Sequence, residues 1–260
     1  MAADASFDRQ YTLENYLMKI LLTNDDGICA QGIRILASAL SREHEVTIVA
    51  PEGEQSGAGH SITVKRPLTV GPVNLGWNET IRGYKVDDTP ADCVTIACKA
   101  LKLEPDVILS GINHGYNLGN DIFYSGTVSA AMEGALLGIP SIAISAGSGN
   151  VENLELSANV AKRLLSELLL QNAKLYNINV PPEAKNIKYT PLSPSSCGNT
   201  IGSMEKRKDP RGREYYWRPA SEAIGENEAD CDRTWAEKGY VTITPMRTDL
   251  MDYQTMDPLG

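Results

Sequence analysis

Basic residues are in deficit in this sequence: 24 Lys and Arg stand against 33 Asp and Glu, a net charge of −9 over 260 residues. A general nucleic-acid or membrane-surface binder needs the opposite sign, so no stable nucleic-acid complex and no membrane partner are expected. No apolar run approaches the roughly 20 residues of a membrane span. Residues 1–17 lack the basic start and apolar core of a secretory signal. Five cysteines (Cys29, Cys93, Cys98, Cys197 and Cys231) are odd in number and form no C-x-x-C pair. They read as thiols of a reducing compartment, not as a disulfide frame or zinc site, and the cytoplasm is the expected location. G-x-G-x-x-G is missing, and so is the Walker-A Lys-Ser/Thr, which removes the usual mark of dinucleotide and P-loop enzymes.

What is present is an ordinary globular composition, 42% hydrophobic and 22% charged. A chain of this length buries roughly 70–75% of its unfolded surface and needs no metal or disulfide to fold. The chain opens with a polar, patternless stretch over 1–17, read as an extension outside the fold. Lys19-Ile20-Leu21-Leu22-Thr23 is a buried strand, Ile33, Leu36, Ala37 and Leu40 recur at helical spacing over 31–41, and 46–50 is a second strand. This strand–helix–strand unit implies parallel pairing. Residues 51–90 break the rhythm as a long Gly- and Ser-rich loop with short strands near 61–64 and 80–84. Helices are expected over 90–101, 125–137 and 153–170, and core strands over 106–110, 141–145 and 175–180. Beyond 181 the character shifts: 185–218 holds eight basic residues among Gly, Pro and aromatics and reads as hairpins, before a last strand over 241–245. The fold expected is a Rossmann-like three-layer α/β/α sandwich with a mostly parallel sheet. It is one domain over 18–253, with a protruding hairpin and a C-terminal assembly element in 185–253 and a tail over 254–260.

The first strand stops at Asn24-Asp25-Asp26-Gly27. Adjacent carboxylates repel unless a cation or a shared proton resolves the charge, although a solvated turn uses the same tetrapeptide. In a parallel sheet the loops Gln55-Ser56-Gly57-Ala58-Gly59-His60-Ser61 and Ser110-Gly111-Ile112-Asn113-His114-Gly115-Tyr116-Asn117 open onto the same edge as this acidic turn. Oxygen donors without Cys or His suit a hard cation such as Mg²⁺ or Mn²⁺. Taken singly, Ser56 and Asn113 are equally at home as turn formers. Ser125-Gly126-Thr127 begins an Ala-rich helix, whose unpaired N–H groups and positive dipole end suit an anion as well as an N-cap. A carboxylate-bound metal beside a helix-end anion hole makes a coherent phosphoester site. His60 and His114 lie in the crevice loops and His44 does not.

With these motifs in order, the sequence resembles the SurE family, the stationary-phase survival proteins that act as metal-dependent nucleotidases. The match runs from Met18 to about Tyr253 and rests on the ILLTNDDG stretch ending at Gly27, on Pro51 with Ser61-Ile62-Thr63, and above all on the stretch over 110–134. Asn177-Ile178-Asn179-Val180-Pro181 and the GYVTITP stretch over 239–245 add to it. The resemblance implies one divalent cation per subunit, Mg²⁺ or Mn²⁺, held by Asp25, Asp26, Ser56 and Asn113. It places Asn117 and Ser125, Gly126 and Thr127 at the phosphate, with Asp25 orienting or deprotonating the attacking water. It implies a 5′-nucleotidase-type phosphomonoesterase acting on nucleoside 5′- and 3′-monophosphates, with short polyphosphate as a further substrate, and a homodimer or homotetramer. Two rivals remain: a metal-dependent nucleotide-sugar enzyme and a non-catalytic nucleotide-binding module.

Overall fold

The computed structural model describes residues 17–171, 173–195, 204–217 and 228–251. The expected extension before Leu17, Cys197 and the 254–260 tail lie outside the described residues.

The chain begins its fold with β1 (Lys19–Thr23), in which four consecutive residues are buried. A strand covered on both faces has no polar side, so it reads as a continuous apolar run. Next come α1 (Gln31–Leu40), β2 (Glu45–Pro51), β3 (Val70–Val73) and β4 (Arg82–Val86). α2 (Pro90–Thr95) has Thr89 as its N-cap, the hydroxyl accepting from Asp92 N, and Pro90 in a first turn that needs no N–H there. It continues into a wider π-type turn over Ile96–Ala100, so the helix expected over 90–101 is α only in its first half. β5 (Val107–His114) leads through a 3-10 turn (Gly119–Phe123) to α3 (Gly126–Leu136), and then come β6 (Ser141–Ala146), α4 (Val151–Leu170) and β7 (Leu175–Val180). The chain adds β8 (Asn186–Tyr189), β9 (Glu205–Lys208), β10 (Glu214–Trp217), α5 (Asp232–Glu237) and β11 (Tyr240–Met246).

One nine-stranded sheet runs in the order β3-β4-β2-β1-β5-β6-β7-β11-β8. Strands β4, β2, β1, β5, β6 and β7 are parallel throughout. β3 lies antiparallel at one edge, and β11 is antiparallel to β7. Side chains of α1 and α4 pack with Ile20 and Leu22 on one face, while those of α2 and α3 pack with Leu21 and Ile108 on the other. Each fully buried Leu or Ile in these layers contributes roughly 1.5–3 kcal/mol relative to exposure. The architecture is the three-layer α/β/α sandwich anticipated from the alternation of elements.

Three local expectations change. Residues 61–64 form no strand: the N–H of Thr63 donates to the carboxylate of Asp92 and its hydroxyl to Asp88, which leaves Ile62 and Val64 exposed. β5 runs four residues beyond the expected strand, through an irregularity in register between Ser110 and Asn113. β8 joins the edge of the main sheet beside β11. Among the described residues of the basic stretch, only β9 and β10 make a hairpin, an exposed two-stranded ribbon.

This topology fixes where a ligand can sit. From β1 the chain moves outward through β2 to β4, then returns to the other side of β1 as β5. Between β1 and β5 the winding reverses, and at such a reversal the loops beyond the carboxyl ends of the strands part to leave a crevice.

Candidate active site

At the end of β1 the side chain of Asn24 closes the turn on itself: Nδ2 donates to Gly27 O at 2.9 Å and Oδ1 accepts from Gly27 N at 3.2 Å. Gly27 takes φ +99°, a region closed to most L residues. This locked turn points Asp25 and Asp26 into the crevice beside the loop after β2, whose Gln55 N–H donates to Asp25 O at 2.7 Å. The same loop docks on the approach to α3 through Gly59 N to Tyr124 O at 3.0 Å, and through His60 Nε2 to Glu133 Oε2 at 2.9 Å.

The two carboxylates are held differently. Asp25 is 4% exposed, and its Oδ1 accepts the hydroxyl of Thr127, the second residue of α3. Burial pushes its carboxyl up to about 6 from the ordinary 3.8; the Thr127 hydrogen bond opposes this and the Asp26 charge adds to it. Asp26 is also raised, first by burial and then by Glu54, with His114 pulling the other way. Its Oδ2 is buried and, among the described residues, has no hydrogen-bond partner. A buried carboxylate oxygen without a partner costs free energy unless something positive reaches it.

Of the residues assigned from sequence to the metal and the phosphate, all except Gly126 and Thr127 line one crevice: Asp25, Asp26, Ser56, Asn113, Asn117 and Ser125. Its volume is about 610 Å³, within the usual range for small-molecule sites. Gly126 and Thr127 stand directly behind Asp25, at the start of α3. Asn113 donates Nδ2 to Gly115 O at 2.9 Å, which leaves its amide oxygen as the side able to meet a cation. Ser56 is exposed, and its hydroxyl donates to Glu54 Oε1 at 2.9 Å, not to either Asp. Ser125 caps α3, accepting from Val128 N at 3.1 Å. Its hydroxyl proton remains available to a ligand oxygen, so cap and anion contact coexist in one residue.

Other lining residues drew no attention as chemistry: Gln31, Glu54, Tyr116, Asp121 and Tyr124. Only their places at the crevice edge of the sheet marked them, since single Tyr, Glu or Gln residues there carry no pattern. His114 lines the crevice, and His60 acts from outside as a tether to α3. The thiols of Cys29, Cys93, Cys98 and Cys231 are free, and burial pushes Cys93 well up, which makes it a poor nucleophile.

Among the described residues no three His, Cys, Asp or Glu side chains gather as a metal-binding group. A cation here would therefore draw on two carboxylates and neutral oxygens. The partnerless Oδ2 of Asp26 beside a second buried carboxylate fits a hard divalent ion.

Fold and crevice together define an α/β protein of the Rossmann-like class, with an acidic, oxygen-lined site at a helix N-terminus. Comparison with known proteins is more specific. A model of the family described as survival protein SurE matches residues 20–199. A 5′-nucleotidase SurE from Pelotomaculum thermopropionicum is 47% identical over 250 residues, covering 93% of this chain and 94% of its own. The 5′-nucleotidase SurE of Carboxydothermus hydrogenoformans is 44% identical over 254 residues, covering 93% and 95%. The crystal structure of the SurE protein from Aquifex aeolicus superposes with a TM-score of 0.77 at 37% identity, covering 93% of this chain and 98% of that one. The chain belongs to the SurE family.

Proposed function

We propose that this chain is a phosphomonoesterase that hydrolyses nucleoside 5′- and 3′-monophosphates to nucleoside and inorganic phosphate. Its relatives are named 5′-nucleotidases. The observation that carries the reading for this chain is the unequal pair at the end of β1: Asp25 tied to the first turn of α3, and Asp26 with a buried, unpartnered oxygen.

One divalent cation per subunit, Mg²⁺ or Mn²⁺, would be held by Asp25, Asp26, Ser56 and Asn113. When bound, such an ion neutralises phosphate oxygens and acidifies a water. The chain's own residues do the rest. The first turn of α3 offers N–H donors and the Ser125 hydroxyl to the phosphate, and Gly126 keeps that approach free of a side chain. Asn117 lines the same wall. Asp25, with Oδ1 occupied by Thr127, has Oδ2 to orient the attacking water and receive its proton. Water forms the new bond to phosphorus and gives its proton to Asp25, the ester bond breaks, and the leaving nucleoside oxygen takes up a proton from solvent.

Short polyphosphate is a second substrate within this reading, supported by Lys206, Arg207 and Lys208 on the exposed ribbon. Assembly as a homodimer or homotetramer draws support from an apolar groove of about 540 Å³ that includes Phe123, Tyr189, Leu192, Met246 and Leu250. Exposed Tyr216 and Trp217 on the ribbon support it too. A single domain over 18–253 and a cytoplasmic location complete the reading; no described helix is long and apolar enough to cross a membrane.

The test is phosphate release from 5′-AMP and 3′-AMP in EDTA, Mg²⁺ or Mn²⁺, with wild type beside Asp26→Asn. The expected result is metal-dependent release that falls on the order of 10²–10³-fold in the variant. No release from any monophosphate with metal supplied would sink the phosphomonoesterase reading; metal-dependent binding without turnover would then identify a binding module.

A further inference from the structure

β7 is buried along its whole length, yet its sequence LYNINV puts two asparagines inside it. Tyr176, Ile178 and Val180 face the layer of α1 and α4, where they join the apolar cluster. Leu175 packs on the other side with Val128 and Ala131 of α3, and the alternation of a strand puts Asn177 and Asn179 on that face with it. Both asparagines are 0% exposed. At a position where any apolar side chain would avoid desolvation, two buried amides call for a reason.

They meet one residue, Asn117 of the crevice wall. Asn179 treats the main chain of Asn117 as a neighbouring strand would: its Oδ1 accepts from Asn117 N at 2.8 Å and its Nδ2 donates to Asn117 O at 3.0 Å. Asn177 donates Nδ2 to the same carbonyl at 2.8 Å. From β6, Ser145, also fully buried, accepts from the side-chain Nδ2 of Asn117 at 2.8 Å. The main chain of Asn117 is thus fixed by three hydrogen bonds from residues 60 and 62 positions away. Its side-chain amide is turned by a fourth, so that among the described residues only its Oδ1 has no partner. Among the described residues, Asn177 Oδ1 is buried without a partner.

We propose that Asn177 and Asn179 are positioning residues for catalysis, clamping the backbone of Asn117 so that its side chain meets the reacting phosphate or water in one fixed pose. The inference rests on the phosphomonoesterase reading and deepens it. Asn117 follows the last strand residue, His114, by only three positions and precedes the 3-10 turn, so no regular element holds it. The clamp supplies from β7 the rigidity that local structure does not, and misplacing a reacting group by about 1 Å costs on the order of 10²-fold in rate.

The experiment is a double-mutant cycle on kcat with 5′-AMP at saturating metal, using wild type, Asn117→Ala, Asn179→Ala and the double variant. Thr242→Val, in the neighbouring strand and touching nothing in the crevice, controls for disturbance of the buried face. Asn179→Ala is expected to lower kcat roughly 10- to 100-fold with KM within about threefold, and to add nothing in the Asn117→Ala background. Thr242→Val is expected to keep wild-type kcat. If Asn179→Ala does not fold, Asn177→Ala, which removes a single donor, carries the same cycle. Unchanged kcat in these variants, or losses that multiply with that of Asn117→Ala, would overturn the clamp while leaving the nucleotidase reading intact. A wild type that releases no phosphate would overturn that reading, and the clamp with it.

Discussion

A Cβ built on Gly126 would lie 2.7 Å from the Cβ of Asp25 and 3.0 Å from its Oδ2, so the first residue of α3 and the acidic turn after β1 share one point of contact. The closeness is what lets Thr127 reach Oδ1 of Asp25 with its hydroxyl. It also brings the N-terminal end of a helix against a carboxylate, a favourable pairing of charge and dipole.

Gly126→Ala tests that contact. The methyl group would meet the stem of Asp25, which cannot swing away as a long side chain would, and also the ring of Pro90 at 3.1 Å. Overpacking of this kind costs about 1–3 kcal/mol. Because the displaced group is Asp25, kcat/KM for 5′-AMP is expected to drop on the order of 10²-fold, a larger effect than the stability loss alone explains. Full activity in a variant of lowered Tm would separate the contact from the chemistry.

Asp25→Asn should stabilise the metal-free protein while removing activity. The folded carboxyl titrates near 6, above its ordinary 3.8, chiefly through burial. A raised acid makes the ionised form costly in the fold: the cost is fully present above about 6, shrinks as pH falls through that value, and is gone below 3.8. Two units correspond to about 3 kcal/mol. Asparagine keeps an acceptor for Thr127 and sheds the charge. In EDTA at pH 7.5 the variant is expected to melt about 5–10 °C above wild type, the gap closing towards pH 4. An equal or lower Tm at pH 7.5 would contradict the assignment of that cost to Asp25.

How much of this was legible in the sequence follows from the same physics. Strands β1, β2, β5, β6 and β7 announced themselves because parallel strands buried on both faces read as unbroken apolar runs. The Asp25–Asp26 turn stood out because two charges ended such a run. The far half of β5 did not, since Gly111 and Asn113 read as loop residues; Gly111 falls in the register irregularity, and pairing of Asn113 and His114 with β6 carries the strand beyond it. Ser61 to Val64 alternated like a strand, but the carboxylates of Asp88 and Asp92 took the Thr63 groups that a strand would have paired. Asn177 and Asn179 were visible as letters. Their role depends on a residue some 60 positions away, and no local pattern records such a contact.

Asp232 holds the crevice from behind. Fully buried at the start of α5, it accepts from Gly119 N, Ser193 N and Arg233 N, each at 2.8 Å. Gly119 opens the 3-10 turn that carries Asp121 to the crevice. Asp232→Ala would strand the N–H groups of Gly119 and Ser193, at about 1–3 kcal/mol each. Denaturant unfolding is expected to show a loss of about 2–5 kcal/mol, with Asp232→Asn, which keeps one strong acceptor, losing clearly less. Equal losses in the two variants would mean that packing, not hydrogen bonding, sets the effect.

The tether between His60 and Glu133 should govern metal loading more than stability. His60 ends the loop after β2 that carries Ser56, and it meets Glu133 on α3 at 2.9 Å; Thr95 donates to the other carboxylate oxygen at 3.2 Å. The His60 hydrogen bond is the main reason the Glu133 carboxyl lies below its ordinary 4.5. A depressed acid contributes stability above its unfolded value and loses it as pH falls through the folded one, so acid below 4.5 weakens this tether. The partners are 27% and 18% exposed, and such pairs contribute about 0.5–1 kcal/mol, too little to move Tm far. Releasing the loop, however, makes each cation wait for Ser56 to return to the crevice. Glu133→Gln is therefore expected to raise the Mn²⁺ concentration for half-maximal activity about two- to fivefold, the factor that 0.5–1 kcal/mol buys, with kcat at saturating Mn²⁺ unchanged. A variant whose kcat falls at saturating metal would place Glu133 in the chemistry, because loop closure regained by excess cation cannot lower the limiting rate.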